Sequence, residues 1–407
     1  MTPGPGAPAT ALRIFLGAFG DPGHAFPMLA LGERLAARGH RVTFETWERW
    51  RPHVEAAGMT FAAAPEYPVF PTRERPLLPY EAVVLATAHT RRSVSEQRPQ
   101  VVVNDILTLA PALAAELEGV PAATLIPHVF PVGAPGFPPY AFGARRARTR
   151  PGRRAWMALD PLLEAGLRRG RAEFNDARAQ LGLEPVNRLH GGLSRKLCLV
   201  ATFPQLEYPR DWPDHVHVVG PLLWEPPYHD VEPPPGAEPL VLVAPSTAQD
   251  PGHRLLRGAL AGLAGEPVRV LATWNRRPLD RPLSVPPNGR LVEWVSYSRT
   301  MPGSRLVICH AGHGTMVRSL ASGAPVLAVP AAGDMAENAA RADWARVGVR
   351  LPWRLAGPVA MRLAVRRALA DGELAARARG LAQWTAARDP AGRAAELVEE
   401  LAAQSSR

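Results

Sequence analysis

Short apolar runs alternate with longer amphipathic segments through the N-terminal half of the chain. The apolar run Leu12–Leu16 predicts a strand, and a glycine-rich turn follows it over residues 17–23. Phe26–Arg38 has apolar residues at helical spacing and precedes Gly39, a typical helix stop. Further strands and one helix are predicted at Val42–Thr46, Gln100–Leu107, Ala110–Leu117 (the helix) and Ala122–Ile126. This alternation predicts an α/β domain with a parallel sheet covered on both faces.

A proline-rich segment without periodicity, residues 220–240, interrupts the alternation and predicts a linker. Beyond it the pattern restarts, with strands and one helix predicted at Leu240–Ala244, Arg254–Leu263 (the helix), Val268–Ala272 and Leu291–Val295. Residues from 362 onwards predict two C-terminal helices, and the second has the position needed to pack back across the linker. Two similar halves in a chain of 407 residues predict two domains with a cleft between them.

These patterns divide the chain into five parts. The first eleven residues lack the basic and apolar regions of a secretory signal, so we interpret them as a disordered lead-in. The predicted parts are the lead-in 1–11, an N-terminal domain 12–222, a linker 223–239, a C-terminal domain 240–385 and a C-terminal helix 386–407.

One unit of the second half joins a strand, a glycine-rich turn and a helix. Leu306–Cys309 predicts a buried strand, residues 310–315 a turn, and Met316–Ala321 a helix ended by Gly323. A further strand is predicted at Ala324–Pro330. Such a turn lies where unpaired backbone N–H groups and the helix dipole favour anions. The unit therefore predicts a site for an anionic ligand.

The formal net charge of +10 raises the question of a nucleic-acid partner. Nearly all of the positive charge is arginine, since Lys196 is the only lysine, and much of it lies in residues 144–156 and 167–174. Aromatic residues do not alternate with these arginines as they do in nucleic-acid-binding proteins. We expect solvated helix faces and a loop, and no nucleic-acid partner, while a membrane surface or an acidic partner stays open.

The cysteines and the hydropathy bear on the compartment. Cys198 and Cys309 lie in apolar runs without the spacing of a disulfide or a metal site, which favours buried thiols in a reducing cytoplasm. No apolar run approaches the length that spans a bilayer. We therefore expect a cytoplasmic protein.

Three segments together resemble family 1 glycosyltransferases of the GT-B fold, and most of all their bacterial branch that attaches sugars to antibiotics and other natural products. Gly20–Thr46 resembles the family's first strand and helix, Val241–Gly252 the start of its C-terminal domain, and Arg290–Thr315 its nucleotide-diphosphate site. The matching positions of the last region are His310, Gly312, Gly314, Thr315, Gly323, Pro325, Pro330, Asp334 and Asn338. The resemblance implies two Rossmann-like domains whose parallel sheets face each other across a cleft.

The same resemblance implies an activity. The N-terminal domain would bind a small-molecule acceptor, the aglycone, and the C-terminal domain a nucleotide-diphosphate sugar as co-substrate. A hexosyl group would be transferred with inversion, without a metal ion and without a further cofactor. Fixed hydrogen-bond donors and a helix N-terminus can stabilise the leaving diphosphate in this way.

For the donor, the resemblance places His310 against the diphosphate and Trp294 against the nucleobase, where an indole ring can stack on any base. His313 occupies a position that varies in the family, and we interpret it as structural. The hydroxyls of Ser246 and Thr247 are equally typical of a helix cap, and a core role for Trp294 stays open. The implied donor-binding residues are Ser246, Thr247, Trp294, Val295, His310, Gly312, Gly314, Thr315, Asp334, Met335 and Asn338.

Inverting transfer needs a base that removes one proton from the acceptor. Histidine fits because its ordinary pKa lies near neutral pH. The resemblance identifies His24, in the turn before the first helix, as this base and Asp105 as the carboxylate that orients it. Asp21 competes for the carboxylate role, and a helix-capping His24 with a surface Asp105 is the alternative.

An acceptor groove is expected in the N-terminal domain. Two aromatic and proline-rich segments, Tyr67–Leu78 and Phe130–Phe142, are the candidates for its walls. The residues predicted to contact the acceptor are Tyr67, Phe70, His128, Phe130, Phe137 and Tyr140.

The sequence departs from the family at positions that concern the donor. Met335 follows Asp334 where relatives often carry glutamine, and methionine donates no hydrogen bond to a sugar hydroxyl. Arg318 stands where plant relatives have a glutamate that binds the ribose, and Tyr297 where glutamine or histidine is frequent. These departures favour a deoxysugar or modified sugar on dTDP, with UDP as the alternative.

Two other functions stay open. A GT-B transferase of this kind could act on a lipid-linked acceptor, with its arginines on a membrane. A non-catalytic protein that binds a sugar nucleotide and activates another glycosyltransferase is the second, although it would need neither a base nor a leaving-group site. The acceptor, the linkage and the formation of a homodimer also stay open.

Overall fold

The computed structural model describes residues 11–65, 80–228, 230–246, 250, 252–279 and 281–404. Its strands form two sheets, one in each half of the chain. The strands of the first sheet are β1 Arg13–Gly17, β2 Arg41–Thr46, β3 Thr60–Ala63, β4 Val101–Asp105, β5 Ala122–Ile126, β6 Cys198–Val200 and β7 Val216–Val218. Those of the second are β8 Leu240–Ala244, β9 Arg269–Thr273, β10 Gly289–Val292, β11 Leu306–Cys309, β12 Val326–Ala328 and β13 Gly348–Arg350.

Both sheets are parallel, and in each of them the first strand of its half lies inside the sheet, between two neighbouring strands. The order is β3-β2-β1-β4-β5-β6-β7 in the first sheet and β10-β9-β8-β11-β12-β13 in the second. In each sheet, strands are first added on one side of β1 or β8 and then on the other. The crevice at such a switch point is where α/β sheets bind ligands. The α/β prediction with parallel sheets is confirmed.

Helices connect these strands and cover the sheets. In the first half they are α1 Pro22–Ala37, α2 Arg51–Ala56, α3 Glu81–Gln97, α4 Ala110–Leu117, α5 Arg150–Met157 and α6 Asp160–Gln180. In the second half they are α7 Arg254–Gly262, α8 Tyr297–Thr300, α9 His313–Ala321, α10 Met335–Trp344, α11 Pro358–Ala370, α12 Gly372–Ala386 and α13 Pro390–Gln404. Short 3₁₀ turns lie at Glu48–Trp50, Pro204–Leu206, Met301–Gly303 and Trp353–Leu355.

Three predictions about helices are wrong. Helix α1 begins at Pro22 rather than Phe26, because proline suits the first position of a helix and the end of the predicted turn is already helical. Helix α9 begins at His313 rather than Met316, because Gly312 is already its N-cap and the turn after β11 is only three residues long. The C-terminal region forms three helices rather than two. Asp371 has an extended conformation and accepts a hydrogen bond from the Leu374 N–H at 2.9 Å, which ends α11 and caps α12.

The last helix packs on the first domain. Helix α13 lies against α1, and its buried Ala394, Val398 and Ala402 belong to the core beneath β1 and β4. At the edge of this contact, Glu399 accepts hydrogen bonds from Arg38 and His40, each at 2.7 Å. The chain thus returns to its N-terminal half after it completes the second sheet.

The two thiols are buried, as expected from their apolar surroundings. Burial raises the pKa of Cys198 to about 12 and that of Cys309 to about 11, so both stay protonated at neutral pH. Within the described ranges, no helix is both long and apolar enough to cross a membrane.

Candidate active site

A cleft between the two sheets has a cavity of about 290 Å³. The first domain contributes the turn after β1 and the loop after β5, including His24 and His128. The second domain contributes the ends of β8 and β11 and the first turns of α9 and α10. Leu222 to Glu225, which join the two domains, form part of the wall. The carboxyl ends of both parallel sheets therefore face one space.

His24 and Asp105 meet at the first-domain side of this cleft. His24 lies in the first turn of α1, and its Nδ1 is 2.8 Å from Oδ1 of Asp105, the last residue of β4. Because β1 and β4 are neighbours in the sheet, the turn after β1 lies beside the end of β4. The other oxygen of Asp105 is 3.4 Å from both the Phe19 N–H and the Thr108 hydroxyl. Asp105 is fully buried, so the alternative of a surface carboxylate is wrong.

The charges around His24 favour its protonated form. Burial alone would lower its pKa, but the charge and hydrogen bond of Asp105 raise it above the ordinary value, with smaller contributions from Asp21 and Asp334. The Asp21 carboxylate lies 3.5 Å from Arg49, and Asp21 contacts His24 through its backbone carbonyl, which accepts a hydrogen bond from the His24 backbone N–H at 2.9 Å. Asp105 is therefore the carboxylate that orients the ring. A hydrogen bond through Nδ1 leaves Nε2 to accept a proton.

The turn between β11 and α9 presents open space at a helix N-terminus. A Cβ atom added at Gly312 or Gly314 would meet nothing within 4 Å, although both residues line the cleft. Ala311 has a φ of 60°, and its carbonyl accepts a hydrogen bond from Nδ2 of Asn338 at 3.0 Å. This bond holds the turn in a conformation that is unusual for a residue with a side chain. Gly314 and Thr315 thus present unpaired N–H groups of the first helical turn.

His310 sits at the base of this turn, and the protein itself surrounds its ring. Nδ1 accepts a hydrogen bond from the Ser246 N–H at 2.8 Å, and Nε2 lies 3.4 Å from Oδ2 of Asp250. The ring is 1% exposed, although it contributes to the wall of the cleft. His310 therefore joins the turn after β8 to the turn after β11.

Asp250 is a residue of this site that the sequence did not indicate. Burial would raise its pKa, but the neighbouring His310 ring and the hydrogen bonds from the Arg254 and Leu255 N–H groups lower it. Asp250 therefore stays ionised and caps α7. Only a positive φ of 69° at a non-glycine residue marks it, and a sequence does not report φ.

His313 has the structural position expected for it. It is the first residue of α9 and is buried, and burial lowers its pKa to about 3. It is therefore neutral at physiological pH. Asn338 is also buried and acts through Ala311 rather than by lining the cleft. Asn338 was expected to contact the donor, but in the structure it supports the turn between β11 and α9 instead.

A group of aromatic side chains lies on the second-domain wall of the cleft. Trp294 lines the cleft, and its ring lies parallel to that of Tyr297, with the centroids 6.3 Å apart. Tyr228 packs on the same ring at 5.2 Å. The side chain of Val295 is buried in the core, so only its backbone is available to a ligand. Trp294 and Val295 follow β10 rather than belonging to it.

The acceptor side agrees with the sequence only in part. His128 lines the cleft, its Nδ1 lies 2.8 Å from the Val129 carbonyl, and the Tyr140 hydroxyl is 3.2 Å from the same nitrogen. Phe130 and Phe137 do not line the cleft: they are buried at 4% and 6% exposure. Both lie beside the guanidinium of Arg210, so the predicted acceptor contacts of Phe130 and Phe137 are wrong, because their rings pack in the core. Tyr140 does not line the cleft itself but contacts His128, which does. Tyr67, Phe70 and Thr247 lie outside the described residues.

A buried charge network joins the domains beside the cleft. Arg341 of α10 contacts Glu337 at 2.7 Å and Glu207 of the first domain at 3.0 Å, and all three side chains are nearly inaccessible. Its guanidinium lies 3.6 Å over the ring of Tyr208. Glu207 also accepts a hydrogen bond from the Phe130 N–H at 2.7 Å. The network thus links the loop that carries His128 to the helix that begins at Met335.

Asp334 and Met335 line the cleft at the start of α10. Met335 presents an apolar surface there, and Asp334 lies within hydrogen-bond distance of Asn338 Nδ2, at 3.2 Å. Among the described residues, no group of three or more histidine, cysteine or acidic side chains could hold a metal ion.

Comparisons with known proteins identify relatives along nearly the whole chain. Residues 257–403 match the family described as erythromycin biosynthesis protein CIII-like, C-terminal domain. The 4'-demethylrebeccamycin synthase of Lentzea aerocolonigenes is 26% identical, with 96% of this chain and 99% of that protein aligned. The O-mycaminosyltylonolide 6-deoxyallosyltransferase of Streptomyces fradiae is 28% identical, over 96% of this chain and 98% of its own length.

Solved structures show the same architecture. The glycotransferase of kitacinnamycin superposes with a TM-score of 0.77 at 22% identity, covering 97% of this chain and all of that one. Glycosyltransferase VinC in complex with dTDP gives 0.69 at 18% identity, with 97% and 100% covered. Identities this low show the fold.

Two parallel sheets that face each other across a cleft, together with these structural relatives, show that the chain has the GT-B fold. Residues 257–403 match the erythromycin CIII-like C-terminal domain, and the relatives that align along nearly the whole chain include a 6-deoxyallosyltransferase.

Proposed function

We propose that this glycosyltransferase moves a deoxysugar from dTDP to an apolar small-molecule natural product, such as a polyketide antibiotic, with inversion at the anomeric carbon. The observation that carries the proposal is the His24–Asp105 pair, which faces the N-terminus of α9 across one cleft. A base and a leaving-group site on opposite walls are what a single displacement at carbon requires.

In the proposed step, Nε2 of His24 takes the proton of the acceptor hydroxyl while the acceptor oxygen bonds to the anomeric carbon. The bond from that carbon to the diphosphate oxygen breaks, and the electron pair leaves with the diphosphate. Asp105 stabilises the imidazolium that forms. The N–H groups of Gly314 and Thr315 stabilise the charge on the leaving group, so no metal ion is needed.

The donor assignment rests on the second-domain wall. Trp294 and the backbone of Val295 would hold the base, Ser246 and Thr247 with Gly312 the phosphates, and Asp334 the sugar. Met335 would contact the sugar at a carbon without a hydroxyl, because its side chain is apolar and donates no hydrogen bond. A relative named as a deoxyallosyltransferase and a dTDP complex of a structural relative support this choice.

The acceptor would enter from the first domain. His128 and Tyr140 form its polar contact, and Tyr67 and Phe70 are proposed as apolar contacts. We assign acceptor binding to residues 12–222, donor binding to residues 240–385, and the joining role to 223–239. The protein would act in the cytoplasm on a soluble aglycone.

The test is product formation from dTDP-linked deoxysugars and from UDP-glucose, with a panel of polyketide aglycones and EDTA throughout. The proposal expects a β-linked product from an α-linked donor, assigned by the anomeric NMR coupling, and a higher kcat/KM for the dTDP-deoxysugar. A strong preference for UDP-glucose would reject the donor assignment. Donor binding without transfer to any acceptor would favour the non-catalytic activator.

Asp105→Asn is expected to move the acidic limb of the kcat/KM profile to lower pH. Asp105 raises the pKa of His24, and the enzyme needs neutral His24, so the wild type loses activity as the pH falls through this raised pKa. Without that charge, burial dominates and lowers the pKa. Activity at neutral pH should also fall, because the ring loses its orienting partner. An unchanged limb would show that another group sets it.

His310→Ala is expected to weaken dTDP binding by roughly tenfold, since the Ser246 N–H loses its acceptor and the turn beside the phosphates loses its anchor. Thymidine, which has no phosphate, serves as the matched ligand and should bind both proteins equally. Calorimetric titration of both ligands measures the difference. An unchanged dTDP affinity would reject the assignment of His310 to the diphosphate site.

A further inference from the structure

The segment between the domains brings a carboxylate into the donor side of the cleft. Glu225 lines the same cavity as Trp294 and Thr315. Its Oε1 accepts hydrogen bonds from the Ser296 hydroxyl at 2.6 Å, from the Ser298 N–H at 3.0 Å and from the Ser298 hydroxyl. Three donors on one oxygen fix the carboxylate firmly against the second domain.

The second oxygen of Glu225 is less engaged. Oε2 lies 3.8 Å from Nη1 of Arg318, which is beyond hydrogen-bond distance. The Arg318 guanidinium is itself held, since Nη2 donates to the Trp224 carbonyl at 2.5 Å. Arg318 therefore partly neutralises the charge of the Glu225 carboxylate without donating a hydrogen bond to Oε2. Oε2 can accept a hydrogen bond from a ligand in the cleft.

The place of this carboxylate matches one part of a nucleoside diphosphate. Ser296 and Ser298 come directly after the aromatic residue Trp294, and Arg318 lies one turn beyond Thr315 on α9. Glu225 bonds to the first group and pairs with the second, so it lies between the base end and the phosphate end of the cleft. In any nucleoside diphosphate the pentose occupies that interval.

The carboxylate is also in the state that accepts hydrogen bonds. Burial would raise the pKa of Glu225, but the serine hydrogen bonds and Arg318 lower it below the ordinary value. An ionised carboxylate is an acceptor only, so its natural partner in a nucleotide is a hydroxyl group rather than a phosphate.

We propose that Glu225 accepts a hydrogen bond from the 3′-hydroxyl of the pentose and so positions the nucleotide between the base end and the phosphate end of the donor site. The proposal rests on the proposed function, because it assumes a nucleoside diphosphate in the cleft. It adds a nucleotide-binding residue that belongs to the segment between the two domains rather than to the second domain itself.

The test compares dTDP with 2′,3′-dideoxythymidine diphosphate, which lacks only this hydroxyl, by calorimetric titration. The wild type should bind dTDP roughly tenfold or more tightly than the dideoxy analogue, the usual effect of a hydrogen bond to a charged group. In Glu225→Ala the ratio of the two affinities should fall to about one, as a lost contact requires. The matched control is Glu33→Ala, which removes the acceptor of the Trp224 indole N–H on the same linker and should keep the wild-type ratio.

The outcomes separate the two levels of the proposal. Equal loss of both ligands in Glu225→Ala, or no discrimination by the wild type, would show that Glu225 only fastens the linker, and would overturn the inference while the donor site stands. Binding of neither ligand to the wild type would overturn the donor site itself. Should Glu225→Ala fail to fold, Glu225→Gln, which keeps one oxygen for the serine donors but replaces the charged acceptor by a neutral amide, must bind the two ligands with a smaller ratio than the wild type.

Discussion

His24→Ala is expected to reduce kcat/KM for sugar transfer by about 10² to 10⁴, the usual contribution of a positioned base. The affinity for dTDP should not change, because His24 belongs to the first domain and the nucleotide would bind the second. The reason for the loss is specific: no other described group pairs with Asp105 at 2.8 Å while lining the cleft. Initial rates with saturating donor, together with dTDP titration, measure both quantities.

Two further variants make this result interpretable. His24→Gln can still donate a hydrogen bond to Asp105 but cannot act as a base at neutral pH, so it should be as inactive as His24→Ala. His217→Ala removes a histidine from β7 at the edge of the sheet, away from the cleft, and should leave activity unchanged. Parallel loss of dTDP binding and turnover in His24→Ala would mean that His24 maintains the fold.

Arg341→Ala is expected to lower the free energy of unfolding by about 3–5 kcal/mol, as removal of one partner from a buried ion pair does. It leaves Glu207 and Glu337 buried without their cation. Burial already raises the pKa of both carboxyls, and loss of Arg341 raises it further. A raised folded-state pKa favours folding at low pH and the effect is lost as the pH rises, so the variant should recover stability in mildly acidic buffer.

Urea unfolding of wild type and variant at two pH values measures this effect. The matched control is Arg377→Ala, which removes an exposed arginine that pairs with Glu373 four residues earlier on α12 and should cost less than about 1 kcal/mol. The triple variant Arg341→Met, Glu207→Gln and Glu337→Gln should be more stable than Arg341→Ala, because no buried charge is left unpaired. Equal effects of Arg341→Ala and Arg377→Ala would contradict the role given to the network.

Much of the fold could be predicted from local patterns in the sequence. Strands such as β8 and β11 are continuous apolar runs because parallel strands are buried on both faces, and that property is written in consecutive residues. The alternation with helices then limits the topology to a few parallel arrangements. Helix starts were less visible: α9 begins at a buried histidine whose ring gives no cap signal.

The candidate site could likewise be predicted from the sequence only in part. His24 and Asp105 follow strand ends that the pattern located, so their meeting could be expected from the sequence. The contacts of Glu225 with Ser296 and of Arg341 with Glu207 were not indicated, because these partners lie 71 and 134 positions apart and no spacing rule relates them. Phe130 and Phe137 misled for a related reason: aromatic residues in a proline-rich loop look the same whether they face a ligand or pack beside Arg210.

The most direct measurement is thermal unfolding of the purified protein with saturating dTDP, UDP, GDP and ADP in the presence of EDTA. A ligand that binds only the folded protein raises its free energy of unfolding by mass action, by about 2.7 kcal/mol when the ligand concentration is a hundred times Kd. The melting temperature rises with it. A donor site for a dTDP-sugar predicts the largest rise with dTDP and a smaller one with UDP. No rise with any of the four nucleotides would contradict a nucleotide-sugar donor site in this cleft.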